Sequence, residues 1–139
     1  MPIRRRLALA AALALGLPSA VPAQAPVTPP HGSERVFVVF FEPWSAAIDA
    51  PAEAGIARLA QMAVQAPGVP VLVTGYASPP GSGEANELLS RLRARVVADA
   101  MIARGVAPGR IRILARGAMP GMEALESRRV EVRIDDGRD

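Results

Sequence analysis

Arg93 is the residue of this sequence whose placement bears most directly on chemistry. It lies in a long periodic segment, Glu84 to Arg104, where Leu89, Leu92, Val96 and Ala100 fall on one helix face and Glu87, Arg91 and Arg95 fall opposite. At about 100° per residue Arg93 sits roughly 40° from Leu89, inside the apolar arc, and Asn86 and Ser90 share that edge. A guanidinium turned inward needs a partner, because an unpaired buried charge costs several kcal/mol. The spacing leaves two solutions open: an internal group, or a carboxylate brought by a ligand.

Other chemistries find little support. Cysteine is absent, which excludes disulfides, thiolate metal sites and a lipid-modified N-terminal cysteine. The single histidine, His31, falls in a proline-rich stretch away from any expected core, so neither a catalytic triad nor a metal site is expected. No nucleophile, base or metal cluster can be placed in one site, and the chain reads as non-enzymatic and without a cofactor. Gly81-Ser82-Gly83 precedes a helix start, where backbone N–H groups can receive an anion. It lacks the lysine and the glycine spacing of a phosphate loop, and Glu84 adds a negative charge there, so a simple turn is the expectation.

The elements that must position Arg93 occupy only part of the chain. Arg4, Arg5 and Arg6, the uncharged run Leu7 to Leu17 and the small residues after it read as a signal peptide over residues 1–25, cleaved after Ala23 or Ala25. The run is too short for a bilayer-spanning helix, which takes roughly 20 residues, so no integral membrane anchor is expected. A flexible, proline-rich leader is expected over 26–34 and one domain over 35–136. The formal charge of +3 is accounted for by the three signal arginines, leaving a neutral domain with no basic footprint for nucleic acid.

Within the domain, Arg35 to Phe41 (RVFVVFF) has the pattern of a strand buried on both faces. Asp49 is placed to cap a helix carrying Ile56, Leu59, Ala60 and Ala63 inward, ended by Pro67-Gly68. Val69 to Gly75 reads as a second strand, the Arg93 helix follows, and Arg110 to Ala115 and Arg128 to Ile134 alternate as a third and fourth. The order β-α-β-α-β-β predicts an α/β (α+β) two-layer sandwich, two main helices packed on a four-stranded mixed sheet.

Gly75-Tyr76-Ala77-Ser78, then Gly81, then Asn86-Glu87-Leu88-Leu89-Ser90-Arg91-Leu92-Arg93-Ala94 resembles, without a gap, the pattern G-H-T-D-x-x-G followed by Y-N-x-x-L-S-x-x-R-A of the OmpA-like, peptidoglycan-associated domain family. Arg128-Arg129-Val130-Glu131 is similar to that family's closing N-R-R-V-E, and the likeness covers about residues 35 to 135. The resemblance implies a non-catalytic periplasmic module that binds peptidoglycan, anchors the wall or the outer membrane, and recognises the diaminopimelate of the stem peptide. It carries Asn86, Arg93 and Arg129 over as ligand-facing residues, with Ser78 as an altered member of the site and Arg128 as an alternative.

The family's acid is Ser78 here, and a hydroxyl cannot pair with an ammonium as a carboxylate does. Tyr76, Ala77, Ala85 and Ser127 depart from the pattern too, and Trp44 stands where a small polar residue is common. Trp44 and Tyr76 read either as an aromatic platform for a sugar ring or a partner's side chain, or as core and rim residues. Two functions follow: a peptidoglycan-binding module with weakened affinity, or a degenerate domain that binds envelope proteins instead.

Overall fold

The computed structural model describes residues 35–78, 81–122 and 124–135; the expected signal peptide, the leader and His31 lie outside them. The elements follow the expected order: β1 (Arg35–Phe40), α1 (Ala50–Gln65), β2 (Val71–Gly75), α2 (Gly83–Ile102), β3 (Ile111–Ala115) and β4 (Arg129–Ile134). The sheet order is β1-β4-β2-β3, with β4 antiparallel to both neighbours and β2 parallel to β3. The last strand is thus inserted between the first two. Both helices cover one face of this sheet, where Val39, Val71, Val73, Val130 and Val132 meet Ile56, Leu59, Val97 and Met101.

β4 shows the consequence most clearly: Val130, Val132 and Ile134 are buried while Arg129, Glu131 and Arg133 alternate toward the uncovered face. The same geometry corrects the expectation for β1. That strand lies at the edge of the sheet and is covered on one face only: Val39 is 1% exposed, whereas Phe40 is 51% exposed. Its unbroken apolar run arises because Val36, Val38 and Phe40 pair in register with the polar face of β4.

α1 is held as its sequence suggests. Asp49 accepts a hydrogen bond from Ala52 N at 2.8 Å, a cap worth about 1 kcal/mol, and Ile56, Leu59, Ala60 and Ala63 are buried.

The buried face of α2 differs from the leucine stripe read from its periodicity. Asn86, Ser90, Arg93, Ala94, Val97, Ala98 and Met101 are buried, while Leu88 and Leu92 are largely exposed. Steric fit decides this. A Cβ on Gly75 would lie 2.0 Å from Ser90 O and 3.2 Å from Ala94 Cβ, so helix and strand approach so closely that only small residues fit between them. The leucines are displaced to the flanks, and Arg93 is carried under the ends of the strands.

Candidate functional site

α2 begins at a cap formed by Ser82, which accepts from Ala85 N at 3.1 Å. The Gly81-Ser82-Gly83 stretch is therefore a capped turn, with one of the free helix donors already used. Two turns further on, Ser90 donates to Glu87 O at 2.8 Å and accepts from Gly117 N at 3.0 Å. This fully buried serine ties α2 to the segment after β3 and sets the level at which the next turn, bearing Arg93, meets the sheet.

Arg93 is 1% exposed and grips three backbone carbonyls: Nε donates to Ser45 O at 2.8 Å, Nη1 to Tyr76 O at 3.2 Å and Nη2 to Glu42 O at 3.0 Å. Its guanidinium also stands 5.3 Å from the ring centroid of Phe41. Of the two partners left open by the spacing, the internal one is present, but it consists of carbonyl dipoles rather than an acid. Three of five N–H donors are used in this way, and the positive charge is not neutralised.

A second guanidinium adds to that charge. Arg128, just before β4, lines with Arg93, Ser78, Trp44, Pro43, Leu89 and Ala124 a cleft of about 250 Å³. Its Nε is buried with no hydrogen-bond partner among the described residues. Burial first, and repulsion from Arg128 second, hold the Arg93 guanidinium below its ordinary value, although arginine remains charged at any physiological pH. Among the described residues, no acidic side chain lines the cleft. Two guanidiniums thus share a semi-enclosed space, and a guanidinium fork is able to bind a carboxylate through two parallel hydrogen bonds.

The residues expected at the site separate accordingly. Arg93 and Ser78 meet in the cleft. Asn86 is buried beneath the loop, its Nδ2 donating to Gly81 O at 3.4 Å, and it does not line the cleft. Arg129 faces the uncovered side of the sheet, where it pairs with Glu131 at 2.8 Å and lies 4.5 Å over the ring centroid of Tyr76. Arg128, the alternative, lines the cleft and Arg129 does not. The strict alternation of β4 is the signal that distinguishes them, because it groups Arg129 with Glu131 and Arg133 on the outer face.

A larger hollow of about 600 Å³ lies between α2 and β3, lined by Leu88, Arg91, Leu92, Arg95, Ile113, Leu114 and Ala115. Its arginines already pair along the helix with Glu87 and Asp99, and no buried polar group points into it. Among the described residues no acid or histidine cluster could hold a metal, and no helix is long and apolar enough to cross a membrane.

The fold and the cleft define a class: a two-layer sandwich that presents a buried helix arginine beneath the loop after its second strand. The chain belongs to the OmpA family, whose model matches residues 40–133. It is 32% identical over 114 residues to the peptidoglycan-associated lipoprotein of Rhizobium meliloti (strain 1021), covering 78% of this chain and 60% of that protein, so it spans less than two thirds of that relative. Solved structures share the fold. The peptidoglycan-associated lipoprotein of Burkholderia pseudomallei matches with a TM-score of 0.65 and 22% identity over 69% of this chain and 87% of that one. The C-terminal domain of Helicobacter pylori MotB matches with a TM-score of 0.61 and 22% identity over 68% and 79%.

Proposed function

We propose that this chain is a non-catalytic peptidoglycan-binding module of the periplasm, exported by a cleavable signal, whose cleft takes a carboxylate of the diaminopimelate in the stem peptide. The observation that carries this reading is the meeting of two guanidiniums, Arg93 and Arg128, in one cleft. Membership of the OmpA family and the likeness to a peptidoglycan-associated lipoprotein support the choice of ligand. Arg93 shapes the floor of the cleft through its carbonyl contacts, and Arg128 adds a second positive charge to its lining. Ser78 offers a hydroxyl but no charge to a ligand ammonium, so affinity is lower than an acid at this position would give.

Sedimentation with purified sacculi tests this reading. Wild type co-sediments, Arg128→Gln does not, and Ser78→Asp sediments more completely because it restores a partner for the ammonium. Sacculi carrying lysine in place of diaminopimelate lack the second carboxylate and retain less protein. Equal background binding by all three proteins refutes the cell-wall reading. It would leave the second one, an interaction module for envelope proteins, which the neutral Ser78 favours.

A further inference from the structure

We propose that Trp44 is a stacking platform at the mouth of the cleft for a pyranose ring of the wall polysaccharide; this rests on the peptidoglycan reading above. The first observation is conformational. Ser45 N donates to Glu42 O at 3.1 Å, closing a turn with Pro43 second and Trp44 third. Trp44 has φ 58°, the only positive value at a non-glycine among the described residues. With proline second, this is the pattern of a type II turn, whose third position ordinarily takes glycine. The bulkiest side chain thus occupies the position least suited to any side chain.

Burial does not offset that strain, since Trp44 is 64% exposed. The turn is instead imposed from below, where Arg93 holds the carbonyls of Glu42 and Ser45 on either side of the indole. Strained residues of this kind persist where the surroundings over-determine them, and they cluster at ligand sites. Across the mouth Gly81, with φ 149°, lies beside the ring: a Cβ there would be in ordinary van der Waals contact, 3.5 Å from Trp44 Cη2. The indole is therefore held in a defined place with most of its surface open.

The chemistry of the cleft selects what lies on it. Arg93 and Arg128 make the floor positive and Ser78 is neutral, so a ligand cation over the indole would be repelled by the guanidiniums. A neutral ring with an apolar C–H face fits, and sugar rings flank the stem peptide in the polymer. Tyr76 already carries the Arg129 guanidinium over one face of its ring.

Trp44 is the chain's only tryptophan, so its emission reports on this surface alone. Titration of the purified chain with a disaccharide-bearing stem peptide, and with the same peptide without sugars, provides the test. The sugar-bearing fragment is expected to shift the emission and to bind roughly tenfold more tightly than the bare peptide. By calorimetry, Trp44→Gly brings the ratio of the two affinities to about one with little change in Tm, and Trp44→Phe retains part of the preference. A preference that survives Trp44→Gly overturns the platform while leaving Arg128-dependent peptide binding intact. A large fall in Tm, with equal losses for both fragments, makes Trp44 a packing residue and overturns it too. If wild type binds neither fragment, the peptidoglycan reading itself fails.

Discussion

Arg93 and Arg110 perform the same local task at two places in the molecule, yet only one of them builds a site. Arg110 donates from Nε to Val69 O at 2.9 Å and from Nη2 to Ala66 O and Val69 O at 2.8 Å, tying the end of α1 to the start of β2. Arg93 gathers three carbonyls where Arg110 gathers two, at the other end of β2. Arg110 is half-buried, so solvent shares its charge. Arg93 is buried, with Arg128 close enough to repel it and a cleft above. A carbonyl clamp organises backbone wherever it occurs; it becomes a candidate receptor where burial and a like charge leave positive potential unspent.

Substitutions can break that comparison. Arg93→Met strands the carbonyls of Glu42, Ser45 and Tyr76 and should cost about 3–5 kcal/mol in urea unfolding, so this variant tests the fold more than the ligand. Gly75→Ala drives a Cβ into Ser90 O and should cost about 3 kcal/mol. Gly109→Ala, beside Arg110, meets nothing within 4 Å and should leave Tm unchanged. Arg110→Met should cost about 1–2 kcal/mol, since water can reach the released carbonyls, and sacculus binding should persist.

Arg128→Gln sharpens the contrast. It removes a like charge and a buried, unpartnered Nε, so stability should stay within about 0.5 kcal/mol of wild type or rise, while sacculus binding is lost. Ser78→Asp should add up to about 1 kcal/mol at neutral pH through the two guanidiniums. They hold the new carboxyl's folded pKa below its unfolded value. The gain is therefore present above the unfolded carboxylate range and disappears as pH falls through the folded one, which unfolding curves at about pH 7 and about pH 3 would show.

Much of this fold can be read along the chain. The Asp49 cap, the buried positions of α1 and the alternation of β4 are local patterns, and each is reproduced in place. The inward direction of Arg93 is legible too, because helical period alone sets it. Periodicity fails where two elements approach more closely than usual: the leucine stripe of α2 gives way to Ser90 and Ala94 because Gly75 lies against them. It also misleads in β1, whose apolar run suits a central strand although the sheet order places it at an edge.

The sequence by itself determined the element order, the inward arginine and the neutral residue at position 78, since these depend on residue type and near-neighbour spacing. Tertiary structure decided which carbonyls Arg93 holds, and that Trp44 stands strained at the mouth of the cleft. Arg93 meets Ser45 and Glu42 across 48 and 51 residues of chain. Sequence spacing does not encode the distances across such contacts; packing between the helix and the ends of the strands does.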